Sequence, residues 1–205
     1  MTIYDRISSI YDWLILSERP YRERALQMLA AQPGERFLEI GCGTGQTLLE
    51  LAAAVGETGH VLGIDLSPGM LKQSQKKLGG YAPISLLLGS GLELPLEAAS
   101  CDALFLSFTL ELFDLEDQHS LLAGARRVLK ESGRLGLVTL STHRQTIPLS
   151  IYYSLHEAFP QIIDCRPIDP VPLLAAAGFT VTFREDDAMF GLPLSILLAV
   201  KESYS

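Results

Sequence analysis

Apolar residues recur at steps of three and four in some stretches of this chain and in short unbroken runs in others, and the two patterns alternate. Tyr4, Ile7, Tyr11 and Leu14 follow the helical period and predict an amphipathic helix ahead of the main fold. A second helix is expected over 22–29, stopped by Gln32-Pro33-Gly34. A short buried strand at 36–40 then runs directly into Gly41-Cys42-Gly43-Thr44-Gly45, and helical spacing returns over 46–55 through Leu48, Leu49, Leu51 and Ala52. Past the turn Gly56-Glu57-Thr58-Gly59, the run 60–64 predicts a second strand. Ser67 as N-cap, Pro68 at the first helical position and Gly79-Gly80 as a stop frame the next helix.

A third strand is expected at 84–88 and a fourth at 103–106. A helix follows over 115–129, with Leu121, Leu122, Ala125, Val128 and Leu129 on its apolar face, then a fifth strand at 136–140. Residues 141–172 show no regular period and carry prolines at 148, 160, 167, 170 and 172. A helix at 173–177, capped by Gly178, and strands at 179–183 and 195–200 complete the pattern. Five strand-helix units ending in a strand pair predict an α/β fold, a doubly wound and mostly parallel seven-stranded sheet covered on both faces. At 205 residues one domain is expected, with N-terminal helices over 1–32 and an insertion over 141–172.

Composition changes this picture little. A formal net charge of −8 argues against a duplex-binding surface, which needs clustered Lys and Arg to neutralise phosphates; Lys72, Lys76 and Lys77 read as a solvated helix face. Cys42, Cys101 and Cys165 are odd in number, far apart and without ligand spacing, so neither a disulfide framework nor a structural zinc site is expected. No basic n-region leads into an apolar stretch, and the run 192–200 is broken by Pro193 and Ser195. A cytoplasmic location is the expectation.

The chemistry lies in the glycine loop. Three glycines at alternate positions after a buried strand let the backbone turn sharply and approach a ligand. A dinucleotide site wants Gly or Ala at the sixth position, where this chain has Gln46, so a ligand without phosphate is favoured. Twenty residues past Gly45, Asp65 ends the second strand, where a carboxylate accepts hydrogen bonds from a ribose diol. Together they specify a nucleoside.

At this point the chain resembles the class I S-adenosylmethionine (SAM)-dependent methyltransferases. Phe37-Leu38-Glu39-Ile40-Gly41-Cys42-Gly43-Thr44-Gly45 is similar to their first motif and Gly63-Ile64-Asp65-Leu66-Ser67-Pro68-Gly69-Met70-Leu71 to their second. The stretch from Gly89-Ser90-Gly91-Leu92 to Ser100-Cys101-Asp102 resembles the adenine-side loop, Arg127-Val128-Leu129-Lys130 the approach to strand five, and Ala177-Gly178-Phe179 a late element. Within the class, the opening Tyr4 to Asp12 is similar to the UbiE/MenG-like quinone C-methyltransferases and to bacterial phospholipid N-methyltransferases. The Met-Asn that follows in the quinone enzymes, and their later His and Trp, are absent, and Ser90 stands where the family has Asp.

The resemblance implies SAM as cofactor, an N-terminal helical lid, and cofactor contacts from Tyr11, Glu39, Gly41, Cys42, Gly43, Gly45, Asp65, Leu66, Met70, Ser90, Gly91, Leu92 and Ser107. It also implies that the 141–172 insertion, rich in apolar side chains over 147–159, shapes the acceptor pocket. That segment equally suits a membrane-contact or dimer face. The expected partner is a small apolar or lipid-like methyl acceptor. Alternatives are a phospholipid headgroup N-methyltransferase at a membrane surface and a SAM-binding protein without turnover. Because the sulfonium is already an activated electrophile, no fixed triad is required. Where the acceptor must lose a proton, His143 after strand five is the expected base and Glu111 a weaker one; His60 lies on the wrong edge of the sheet, His119 on a solvated helix, and His156 within the apolar segment 147–159.

Overall fold

The structure, a computed structural model, describes residues 17–144, 149 and 165–202. Residues 17–29 form helix α1. There follow β1 (Arg36–Ile40), α2 (Gln46–Val55), β2 (His60–Asp65), α3 (Pro68–Leu78), β3 (Ile84–Leu88) and β4 (Cys101–Ser107). A single 3-10 turn (Leu110–Leu112) leads to α4 (Leu115–Val128), β5 (Leu129–Leu140), α5 (Pro170–Ala176), β6 (Phe179–Met189) and β7 (Leu192–Lys201).

The strands make one seven-stranded sheet in the order β3-β2-β1-β4-β5-β7-β6. β1 pairs in parallel with β2 on one side and β4 on the other, and β7 joins both β5 and β6 antiparallel. The strand order reverses between β1 and β4, and in such sheets the crevice beyond the carboxyl ends of those strands is where ligands bind.

Strand alternation sorts the core into two layers. Phe37, Val61, Ala103, Phe105 and Val138 face α1 and α2, packing with Ala25, Leu29, Leu48 and Leu51. Their neighbours Leu38, Ile64, Leu104, Leu106 and Leu137 face α4 and α5, packing with Leu121, Leu122, Ala125 and Leu174. By the same period-two rule Glu39 falls on the α1/α2 side, so a carboxylate is carried into the interior.

Helix ends follow local chemistry. Ser67 Oγ accepts from Met70 N at 3.3 Å and Asp114 Oδ1 from Asp117 N at 3.0 Å, each satisfying an orphan donor of a first turn. At the other end of α1, Arg134 donates to the Leu29 carbonyl at 2.5 Å and forks onto both Glu35 oxygens at 2.7 Å. α1 is also moored to the far edge of the sheet: Arg24 pairs with Glu185 and Asp187 of β6, and Tyr21 Oη donates to the Ala188 carbonyl at 3.0 Å.

Several boundaries differ from expectation. β5 begins at Leu129 rather than 136, because Leu129 pairs with Cys101 before a register shift to Ala103↔Arg134; the intervening Lys130 to Gly133 have no apolar periodicity. α4 therefore ends at Val128. β6 runs on through Arg184-Glu185-Asp186-Asp187 to Met189 and β7 starts at Leu192, since an edge strand needs one paired side and tolerates charge on the other. α5 starts three residues early, at Pro170, with Asp169 as N-cap. α1 reaches back to residue 17 rather than 22. The helix expected over 4–14, His156 and, apart from Leu149, the apolar stretch 147–159 lie outside the described residues.

Candidate active site

A crevice of about 450 Å³ opens beyond the carboxyl ends of β1, β2 and β4, a size that suits a small-molecule ligand. Its floor is the loop from Gly41 to Thr44. Gly41, Gly43 and Gly45 all have positive φ, yet they serve different neighbours. A Cβ on Gly41 would overlap the Thr109 side chain and one on Gly45 would overlap Ser74 Oγ, whereas a Cβ on Gly43 would meet nothing within 4 Å. Two glycines are required by the protein's own packing, and Gly43 alone faces open space.

Asp65 ends β2 and is held by the loop opposite. Its Oδ2 accepts from Gly43 N at 2.8 Å and its Oδ1 from Ser67 N at 2.8 Å. With one backbone donor on each oxygen, the carboxylate is oriented and keeps a lone pair on each for hydroxyl donors. Leu66, 74% exposed, and Met70 stand beside it at the crevice mouth.

Two polar atoms on lining residues are buried without a partner: Glu39 Oε2 and Ser107 Oγ. Burial pushes the Glu39 carboxyl up to about 8, against Thr47 and Arg22, which pull it down. Burial, with Glu39 and Asp65 nearby, likewise drives the Cys42 thiol upward, so it is a neutral wall group rather than a nucleophile. Phe108, Leu112 and Phe113 form an apolar side to the crevice. Phe108 has φ of 49° while its N–H donates to the Val138 carbonyl at 2.8 Å, strain of the kind that clusters at functional sites.

Of the residues singled out from the sequence, the crevice gathers Glu39, Gly41, Cys42, Gly43, Asp65, Leu66, Met70, Ser90, Gly91 and Ser107. Gly45 and Leu92 lie off its lining; the Leu92 N–H donates to Ser90 Oγ at 3.2 Å and the side chain packs on the core. Tyr11 lies outside the described residues. His143 is not brought to the crevice: it lines a separate depression with Arg144, Asp186, Asp187, Ala188 and Pro193, its Nδ1 3.7 Å from Asp186. Glu111 is fully buried, its Oε1 accepting from Leu140 N at 2.9 Å, and it is absent from the crevice lining; burial pushes its carboxyl up to about 7.

Sequence reasoning passed over two charged lining residues, Glu18 and Arg22. A signal existed: Glu18, Arg22, Ala25 and Leu29 sit at steps of four, three and four, so the charges continue the stripe that buries Ala25 and Leu29. Arg22 is 7% exposed and lies 4.0 Å from Glu18, whose carboxyl burial pushes up to about 7 despite that neighbour.

Residues 37–133 match the family described as Methyltransferase domain. The demethylmenaquinone methyltransferase of Lysinibacillus sphaericus is 33% identical over 151 residues, 71% of this chain and 63% of that protein. The enzyme of that name from Staphylococcus aureus is 33% identical over 146 residues, 71% of this chain and 58% of the relative. The chain thus spans about three-fifths of the length of these relatives. Among solved structures, a SAM-dependent methyltransferase from Aquifex aeolicus matches with a TM-score of 0.66 at 21% identity, covering 88% of this chain and 89% of its own. The [4+2]-cyclase SpnF matches at 0.69 and 17%, covering 91% and 82%. At such identities these structures show the fold.

The sheet order, the glycine loop and the matched domain define a class I SAM-dependent methyltransferase domain. Within that class the chain is similar to the demethylmenaquinone methyltransferases. The cofactor of the family is SAM. The crevice fits it: open space over Gly43, an oriented ribose-side carboxylate, and unpaired polar atoms at Glu39 and Ser107.

Proposed function

We propose that the chain transfers the methyl group of SAM to a small, apolar acceptor of the quinol type. The observation that carries this reading is the pairing of Gly43, open to the crevice, with Asp65, fixed by Gly43 N and Ser67 N. When bound, SAM supplies a methyl group on a sulfonium that leaves as a neutral thioether.

The protein's part is to hold, orient and exclude water. Asp65 takes the ribose hydroxyls on the lone pairs its backbone donors leave free. Because the Gly43 N–H is spent on Asp65, that glycine contributes space rather than a hydrogen-bond donor. Ser90, whose hydroxyl already accepts from Leu92 N, retains its own proton to donate on the adenine side. Glu39 Oε2 and Ser107 Oγ find polar partners at the methionine end. Phe108, Leu112 and Phe113 present an apolar wall to the acceptor, where excluding water protects an electrophile from hydrolysis. The names of the relatives support an acceptor of the quinol class. The continuous sheet with a core layer on each face supports one methyltransferase domain.

The test is thermal unfolding with S-adenosylhomocysteine, followed by labelled-methyl transfer from SAM to a reduced demethylnaphthoquinone. Ligand at ~100 times its Kd stabilises by ~2.7 kcal/mol, roughly 5–10 °C for a chain of this size. Asp65→Ala is expected to abolish the shift. A folded wild type that no concentration of S-adenosylhomocysteine stabilises overturns the reading.

A further inference from the structure

A quinol methylated at carbon gives up one proton, and the crevice must offer a group to take it. The acids among its described lining residues are Glu18, Glu39, Cys42 and Asp65. Asp65 is committed to the ribose side by its two backbone donors. Glu39, 3% exposed and pushed up to about 8, keeps its proton near neutrality, and the Cys42 thiol is neutral. Glu18 is left, its side chain 17% exposed, enclosed by protein yet open to the cavity.

The course of α1 puts Glu18 at the acceptor end. The helix runs back along β5: Leu29 lies over Gly136 and accepts from Arg134 Nε at 2.5 Å, while at the other end Ser17 Oγ donates to Met189 Sδ at 3.6 Å. Met189 closes β6 just ahead of β7, whose Leu194 pairs with Leu140, the last residue of β5. Glu18 therefore stands at the carboxyl end of β5. Glu111, whose Oε1 accepts from Leu140 N, feels the charge of Glu18 and is followed directly by Leu112 and Phe113 of the apolar wall. The ribose carboxylate is on β2, at the other end of the run β2-β1-β4-β5. A donor laid from Asp65 past Glu39 and Ser107 has Glu18 and the apolar wall at its methionine end.

We infer that Glu18 is the base of the transfer, its carboxylate touching the acceptor's hydroxyl and taking that proton as the methyl group arrives. The inference rests on reading the crevice as the SAM site and the acceptor as a quinol. The hydroxyl proton passes to Glu18 while an electron pair of the adjacent ring carbon forms the new bond to the methyl carbon. The bond from sulfur to that carbon breaks, and its electron pair stays on sulfur as the thioether. The ring carbon then sheds its hydrogen as a proton and the oxygen regains one, so one proton leaves per methyl group transferred. Around Glu18 stand Arg22, 4.0 Å away on its own helix, Glu111 of the 3-10 turn and, sharing Arg22, Glu39 of β1. Arg24 is turned away onto Glu185 and Asp187 of β6. Burial holds the Glu18 carboxyl up to about 7, with Arg22 pulling the other way. Glu111 is fully buried and the charge of Glu18 raises it further, so of this pair Glu18, reaching the cavity, is the one that ionises.

Single-turnover transfer of labelled methyl from SAM to a reduced demethylnaphthoquinone, followed from pH 6 to pH 8, tests this. The wild-type rate is expected to rise about tenfold across that range, as a base titrating near 7 goes from mostly protonated to mostly charged. Glu18→Gln is expected to lose about 10²–10⁴-fold in rate together with the pH-dependent limb, while its Kd for S-adenosylhomocysteine stays within about threefold of wild type, less than half a pKa unit's worth of free energy. A second measurement needs no turnover: binding of 1-naphthol to the S-adenosylhomocysteine complex. A phenol donating to the Glu18 carboxylate favours its charged form, so naphthol affinity is expected to rise about fivefold from pH 6 to pH 8 for one unit of carboxyl shift, and Glu18→Gln to abolish the rise. A wild-type rate that is flat across the range overturns the inference even if the variant fails to fold. So does a folded Glu18→Gln that keeps the wild-type rate, or a complex to which naphthol binds equally at both pH values or not at all. If S-adenosylhomocysteine itself does not bind, the reading of the crevice as the SAM site falls. If it binds and the quinol is not methylated, the acceptor class falls and the naphthol titration decides on Glu18.

Discussion

Gly45→Ala separates the packing role of a motif glycine from the binding role of its neighbour. Gly45 sits at φ of 73°, a conformation that costs an L-residue ~1–2 kcal/mol. An alanine Cβ would also overlap Ser74 Oγ, and forcing an extra carbon into a close-packed site costs ~1–3 kcal/mol. The sum, ~2–5 kcal/mol, lowers Tm by roughly 5–15 °C. Ser74 is fully buried and its hydroxyl has no partner, so Ser74→Ala alone is expected to be neutral or stabilising by up to ~1 kcal/mol. Combined, the two changes should recover the overlap and leave the backbone strain, a coupling of at least ~1 kcal/mol in a double-mutant cycle read by urea unfolding. Gly43→Ala, with strain and no overlap, should cost only ~1–2 kcal/mol of stability yet weaken S-adenosylhomocysteine binding more than tenfold. The reasoning is refuted if Ser74→Ala gives Gly45→Ala no relief, or if Gly43→Ala binds as the wild type does.

Arg134→Ala removes a forked ion pair with Glu35 and a donor to the Leu29 carbonyl, both partners less than a quarter exposed, and should cost ~2–3 kcal/mol by denaturant unfolding. Arg134→Lys should recover less than half, because an ammonium cannot reproduce the fork. Glu18, Glu39 and Glu111 are raised from 4.5 to about 7, about 8 and about 7, so between those limits the folded chain binds more protons than the unfolded one. Stability is therefore expected to fall as pH rises from about 5 to 8, with Glu39→Gln flattening the slope; a Tm that climbs across that window contradicts it. His143→Ala should leave S-adenosylhomocysteine affinity within about twofold, since His143 lies apart from the crevice.

The parts of the fold legible in the sequence are those where one residue type answers one local demand. β1, β2 and β3 are short apolar runs closed by Gly or by Asp65, and Ser67-Pro68 announces α3 because its hydroxyl and its missing N–H both suit a first turn. The charged half of β6 was not legible, because it pairs on one side only and its strand identity comes from β7. In the site, the loop and Asp65 were legible from spacing. Glu18 and Arg22 were not, because their burial depends on where α1 lies across the sheet. His143 follows the right strand, but β5 there pairs antiparallel with β7, and the chain beyond it turns toward Asp186 on β6.

The mooring of α1 to β6 has a consequence for how the molecule is made. A chain emerging from the ribosome has its glycine loop, Asp65 and the strands that support them once residue 140 is out. Arg24 and Tyr21 then still lack their partners at Glu185, Asp187 and Ala188, so the helix bearing Glu18 and Arg22 is held by Ala25, Leu29 and the Arg134 tie alone, without its mooring at the sheet edge. The nucleoside half of the crevice is ready early in synthesis, and the acidic half closes only when the last hairpin has formed.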